Sequence, residues 1–160
     1  MAEFLKHARE DAERYLEREQ DAWAQLKHEH DQAMFARDVE DLVEYGIYVL
    51  RSWIRHAQNW HRWVSEDAAR YDAKKHKNLR KIEEMASKAA KGTIGLINEV
   101  KTWGYEVERE AEFRLIAEFV IGASALPHEQ FSSKGFATYQ EDAWQAYQAG
   151  EAEEITNWGD

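Results

Sequence analysis

The sequence predicts an all-α protein, an elongated antiparallel helical bundle of three long helices, or of four if the third one breaks. Three observations lead to this fold class. The 160 residues include a single proline, so long helices meet little obstruction. Apolar residues recur every three or four positions over most of the chain. One stretch keeps that spacing for about four heptads, which is typical of a coiled-coil-like seam.

The first predicted helix covers residues 2–37. Asp38 is then the expected N-cap of a second helix, with Glu40 and Asp41 near the positive end of its dipole. This second helix is the most apolar one, so we expect it at the centre of the bundle. Gly46 lies in its interior, where a glycine costs roughly 1 kcal/mol relative to alanine. A close crossing of helices at Gly46 would explain that choice.

Ser65 is the expected N-cap of a third helical stretch. Its heptad positions are Leu79, Ile82, Ala86, Ala89, Thr93, Leu96, Val100, Trp103 and Val107. Because the heptad passes Gly92 without losing phase, we expect one continuous or kinked helix over residues 65–126. A break near Gly92 is the alternative, and it would make the chain an up-down four-helix bundle.

Two regions are expected along the chain, divided at Pro127. Residues 1–126 form the helical bundle, and residues 127–160 form a loop, a short helix and an acidic tail. A capping box of Thr138 and Glu141 begins the short helix, and Gly150 ends it.

Composition narrows the function classes. The chain has 21 Lys+Arg, 31 Asp+Glu and a net charge of −10, so nucleic acid is an unfavourable partner. The absence of cysteine excludes disulfides and thiolate metal sites, and it fits a reducing compartment. No stretch provides the roughly 20 apolar residues of a membrane span, and the N-terminus does not resemble a secretory signal. We expect a cytoplasmic protein.

Positive charge is concentrated in the middle of the sequence. Residues 46–64 contain Arg51, Arg55 and Arg62 and no acidic residue. One interpretation is that these arginines complement acidic residues on neighbouring helices. The other is that residues 46–91 form a basic face for a phosphate or an acidic partner.

A metal site in the bundle is the first enzymatic hypothesis, given seven histidines among many carboxylates. The Glu-x-x-His motif of di-iron bundles is absent at every histidine. Glu3, His7 and Asp11 share one helix row and are the weak candidate ligands. The sequence contains no glycine-rich phosphate loop, and its tryptophans are explained by a packed core. No cofactor is expected.

A second enzymatic hypothesis comes from arginine–histidine pairs. Arg51 with His56, and Arg55 with His61, are similar to the loose Arg-x(4–6)-His spacing of HEPN-type helical ribonucleases. That similarity implies a histidine for general acid–base catalysis on a ribose hydroxyl and an arginine for the phosphate. A helix places residues five apart on different faces, which argues against the first pair.

The missing catalytic motifs favour a non-catalytic protein-protein interaction or assembly protein: an adaptor, an inhibitor or a subunit. A protein partner, a homo-oligomer or both would then cover apolar positions of the heptad and the aromatic C-terminal segment. The candidate interaction residues are Leu96, Val100, Trp103, Val107, Phe131, Phe136, Tyr139, Trp144 and Tyr147. The remaining alternatives are the HEPN-like ribonuclease and an acidic mimic of nucleic acid that inhibits a nucleic-acid-binding protein.

Overall fold

In the computed structural model, residues 2–28 and 31–124 are described, and they form four α-helices and no strand. The helices are α1 (Ala2–Leu26), α2 (Gln32–Glu66), α3 (Ala73–Thr102) and α4 (Glu110–Ser124), with a 3-10 turn at Ala68–Arg70. The all-helical prediction is confirmed for this part of the chain. The predicted region of residues 127–160 lies outside the described residues. None of the described helices is long and apolar enough to cross a membrane.

The boundary between α1 and α2 differs from the prediction. α1 ends at Leu26, and the N-cap of α2 is Asp31. The Asp31 carboxylate accepts hydrogen bonds from the backbone N–H groups of Ala33 (2.9 Å) and Met34 (3.3 Å), which have no partner within the helix. Asp38 lies inside α2 instead of capping it. The prediction was wrong because the apolar spacing continues across the connection between the two helices.

The boundary between α2 and α3 also moves. Ser65 lies in the last turn of α2, so its predicted role as an N-cap is wrong. Asp72 caps α3, and its carboxylate accepts from the backbone N–H groups of Lys74 (2.9 Å) and Lys75 (3.3 Å). An aspartate at this position is favourable because it accepts hydrogen bonds from free backbone N–H groups and because its negative charge lies at the positive end of the helix dipole.

The third helical stretch breaks, but not near Gly92. α3 continues through Gly92 and ends at Thr102, and a turn over residues 103–109 leads into α4. Gly104 adopts a positive φ of 84°, a conformation that costs a residue with a side chain about 1 kcal/mol or more. The prediction of one helix over residues 65–126 is therefore wrong, because the stretch breaks. The alternative of a break near Gly92 is wrong about the position of that break.

The turn over residues 103–109 is hydrogen-bonded to α2 through the Glu40 carboxylate. Glu40 accepts a hydrogen bond from the Tyr105 hydroxyl (2.6 Å) and another from the backbone N–H of Glu108 (3.0 Å). Trp103 packs on Phe35 at the start of α2, with ring centroids 5.6 Å apart. These contacts fix where α4 begins relative to α2.

α2 is the central helix, as its apolar composition predicts, and it packs against α1, α3 and α4. The predicted close crossing occurs at Gly46, where a Cβ atom would lie 2.6 Å from the Tyr15 hydroxyl and 2.9 Å from the Phe113 ring. The Tyr15 hydroxyl is also hydrogen-bonded to Thr93 (2.8 Å), so one buried tyrosine joins α1, α2 and α3. The elongated shape and the coiled-coil geometry stay predictions.

Two glycines on α3 allow α1 to approach closely. The Trp23 indole packs against Gly95, and its N–H donates a hydrogen bond to the Gly92 carbonyl (3.1 Å). The Glu19 side chain lies directly on Gly92, in space that a methyl group would need. Burial there raises the pKa of Glu19.

A buried pair of side chains on α3, Arg80 and Glu83, faces α4. The Arg80 guanidinium donates hydrogen bonds to the Glu83 carboxylate and to the Ala123 carbonyl (3.0 Å). Both charged side chains are almost completely removed from water. Burial raises the pKa of Glu83 to about 8, although the nearby Arg80 acts in the opposite direction.

Candidate functional site

A polar cleft of about 620 Å³ opens beside the middle of α2. Its lining residues are Glu44, Ile47, Tyr48, Arg51, Ser52, Arg55, His56, Asn59 and Arg109. All of them except Arg109 belong to α2, where steps of three and four residues place them along one side of the helix. Arg109 comes from the end of the turn that precedes α4. Clefts of this size are typical of ligand sites in proteins.

Two of the three arginines share one carboxylate. Glu112, in the first turn of α4, accepts a bidentate interaction from Arg109, with distances of 2.9 Å from Nε and 2.7 Å from Nη2. The same carboxylate accepts from Arg51 Nη2 at 3.1 Å. Glu112 thereby fixes arginines from both sides of the cleft with charge-assisted hydrogen bonds. Donating these hydrogen bonds to Glu112 also raises the pKa of Arg109.

The lining is positively charged although the chain is acidic. Among the described residues that line the cleft, Arg51, Arg55 and Arg109 are accompanied by a single carboxylate, that of Glu44. The cleft therefore has a net charge of +2, or of +1 when Glu112 is included, while the whole chain has −10. A cationic cleft in an acidic protein attracts anions locally and repels them elsewhere.

Tyr48 presents an exposed aromatic ring at the cleft, with 57% of its surface accessible. The ring is stacked on Tyr45, with centroids 6.1 Å apart and an angle of 27° between the planes. Tyr45 is covered in turn by the Arg18 guanidinium of α1, 4.8 Å from its ring centroid. Tyr48 thus provides an exposed apolar surface next to the arginines, and its ring is held in position by stacking on Tyr45.

His56 lines the same cleft as Arg51 and Arg55. The spacing argument against the pair of Arg51 and His56 does not hold, because the cleft is wide enough to include both. Burial lowers the pKa of His56, so its imidazole is neutral at pH 7. For the second pair, Arg55 lines the cleft, while the side chain of His61 lies outside the described residues.

Of the three metal candidates, the structure describes the side chains of His7 and Asp11. The side chain of Glu3 lies outside the described residues. His7 lies 3.7 Å from Glu10, while Asp11 contacts Arg14 (3.7 Å) and Tyr45 (3.4 Å). Among residues 2–28 and 31–124, no group of three or more histidines and carboxylates is placed to hold a metal ion.

The predicted interaction residues fall into two groups. Leu96, Val100 and Val107 are buried in the chain's own core, and Trp103 is half-buried. Their burial removes Leu96, Val100 and Val107 from any surface that a partner could contact. The remaining five, from the aromatic C-terminal segment, lie outside the described residues: Phe131, Phe136, Tyr139, Trp144 and Tyr147.

Sequence reasoning missed Arg109, Glu112 and Tyr48 as members of the cleft. The three-residue separation of Arg109 and Glu112 suggests an ion pair on one helix, but the sequence does not show that this pair faces α2. The available signal was Gly104, the glycine that allows the chain to turn and bring Arg109 beside Arg51.

No protein-family model, no curated protein and no solved structure matches this chain. The function of the chain must therefore be inferred from the chemistry of its own cleft.

Proposed function

We propose that this chain is a non-catalytic interaction protein that binds an acidic segment of a partner protein in the cleft on α2. One observation supports the proposal above the others: Arg51, Arg55 and Arg109 surround a single open cleft in a chain with net charge −10. Burial of the heptad residues moves the proposed partner contact from the apolar seam to this cleft.

The chemistry of the lining suits a carboxylate-bearing peptide. A guanidinium has five N–H donors in a planar fork that matches a carboxylate, and it keeps its charge at every physiological pH. Tyr48 and Ile47 add apolar surface between the charges. Arginine and tyrosine are the residue types enriched at protein interfaces, where they supply much of the binding energy. Opposite charges on the two partners would also speed their encounter.

A titration with hexaglutamate tests the proposal. We expect saturable binding to the full chain that weakens as salt is added, because part of the attraction is screened. Arg55→Glu should weaken binding by about tenfold, which corresponds to about 1.4 kcal/mol. Arg62→Glu is the matched control, since Arg62 is exposed on the same helix but does not line the cleft.

Two results would overturn this proposal. One is the absence of saturable hexaglutamate binding to the unmodified chain. The other is an equal loss of affinity in the two charge-reversal variants, because that would show only a response to net charge. Circular dichroism of both variants confirms that the helices are retained.

A second candidate function is a helical ribonuclease. The specific observation in its favour is that Arg51, Arg55 and His56 line one cleft. A neutral imidazole at pH 7 can accept a proton from a ribose hydroxyl, and the arginines can stabilise the charge on phosphate. Against it stands the net charge of −10, which opposes binding of a polyanion.

The ribonuclease candidate is tested by incubating the chain with single-stranded RNA in the presence of EDTA. His56→Ala should reduce cleavage by about 100-fold or more if this histidine is the general base. His7→Ala is the control, because His7 is exposed on α1, away from the cleft. Cleavage that survives His56→Ala would be attributed to a contaminating nuclease.

The acidic-mimic alternative receives no support from α1. A mimic of nucleic acid needs a continuous acidic stripe, whereas positive side chains are interleaved with the acids here. Arg9 lies 3.9 Å from Glu13, and Arg14 lies 3.7 Å from Asp11. We do not propose it.

A further inference from the structure

Glu112 already holds two of the three arginines that line the cleft. Its carboxylate oxygens lie 3.1 Å from Arg51 Nη2, and 2.7 Å and 2.9 Å from Nη2 and Nε of Arg109. We propose that Glu112 is an internal competitor for the cleft, occupying the place on Arg51 and Arg109 that a partner's carboxylate takes. This inference rests on the proposed function and adds a residue that sets its affinity and selectivity.

The position of Glu112 explains why it can act in this way. It lies in the first turn of α4, where the helix dipole favours a carboxylate, and three residues after Arg109. The side chains of Glu112 and Arg51 keep 18% and 20% of their surface accessible, so the pair is neither sealed from water nor fully solvated. An incoming anion can therefore reach these arginines without unfolding the helices.

Exchange of one carboxylate for another determines how strongly the cleft binds. A partner carboxylate that replaces Glu112 forms new charge-assisted hydrogen bonds and breaks equivalent ones, so the net gain from Arg51 and Arg109 is small. Arg55 also lines the cleft, so a segment with several carboxylates can contact it while one of them replaces Glu112. Weak single anions are thereby rejected, and segments with several carboxylates are favoured.

Glu112→Gln tests the inference in the same hexaglutamate titration. Glutamine keeps the size of the side chain and removes its charge. We therefore expect the variant to bind hexaglutamate about tenfold more tightly or better, since a hydrogen bond to a charged group is worth about 1.5 kcal/mol or more. Glu118→Gln is the matched control, an exposed carboxylate of the same helix that does not contact the cleft arginines. Its affinity should change by less than about twofold, because an exposed and screened charge has little effect.

The outcomes separate this inference from the proposed function. If the unmodified chain binds hexaglutamate and Glu112→Gln binds no more tightly, Glu112 only positions the arginines and the inference falls while the function stands. If only Glu112→Gln binds, the competitor is supported and binding by the unmodified chain is refuted. If neither binds, both fall. Thermal unfolding of the two variants checks that a weaker signal does not come from a damaged fold.

Discussion

At the scale of single residues, Glu83 links the stability of the fold to pH. Its ordinary pKa is 4.5, and burial raises the value to about 8 in the folded chain. The folded state therefore holds a proton more tightly than the unfolded state does. The stability gained in this way is fully present below pH 4.5 and is lost as the pH rises through about 8.

Glu83→Gln should remove this pH dependence, because glutamine does not titrate and can still accept a hydrogen bond from Arg80. Between pH 5 and pH 8, the free energy of unfolding of the unmodified chain should fall more steeply than that of the variant, by at most roughly 1.4 kcal/mol per pH unit. Urea unfolding at several pH values measures the two slopes. Glu118→Gln, at an exposed position, should keep the original slope, and equal slopes in all three proteins would contradict the prediction.

At the scale of helices, the heptad repeat correctly predicted that α3 continues through Gly92 but did not predict where α3 ends. The repeat crosses Gly92 in phase, and α3 does continue there. The missing side chain of Gly92 makes room for Glu19 of α1 instead of ending the helix. The repeat also crosses Gly104 in phase, since Trp103 and Val107 keep the four-residue spacing, yet the helix ends. Spacing reports which side chains face the core, and a turn can present the same residues to the core as a helix does.

The contact of α1 with Gly92 gives a prediction whose sign depends on a second residue. In the unmodified chain, Gly92→Ala should be destabilising because the new methyl group occupies the space of the Glu19 side chain. In a Glu19→Ala background that space is empty, and the same change should stabilise the helix by about 1 kcal/mol through its higher propensity. Thermal or urea unfolding of the four proteins in this cycle measures the difference. A change of equal sign and size in both backgrounds would show that the two residues do not interact.

At the scale of the whole molecule, the sequence showed where arginines are concentrated but not which residues from other segments join them in the cleft. The cluster of Arg51 and Arg55 without neighbouring acids allowed two interpretations, a complement to acidic residues on other helices or a basic face. Both arginines line the cleft, and Arg51 pairs with Glu112 of α4. Arg109 could not be placed in this way, because its position depends on where α3 stops and how the turn is fastened. The predicted N-terminal boundary of α2 was wrong for a related reason. Asp31 and Asp38 are the same residue type and could each cap a helix, and only the course of the backbone distinguishes them.

The two hydrogen bonds that Glu40 accepts also affect the width of the cleft. One side of the cleft is α2, a continuous helix, and the other side is Arg109, which follows directly after the Glu108 N–H that Glu40 holds. α2 therefore forms one side of the cleft. Through Glu40, eleven residues before Arg51, it also holds the turn that positions the other side. A substitution at position 40 would change the width of the opening by moving Arg109, without changing the identity of any residue that lines the cleft. The width of the cleft thus depends on a residue that is not part of its lining.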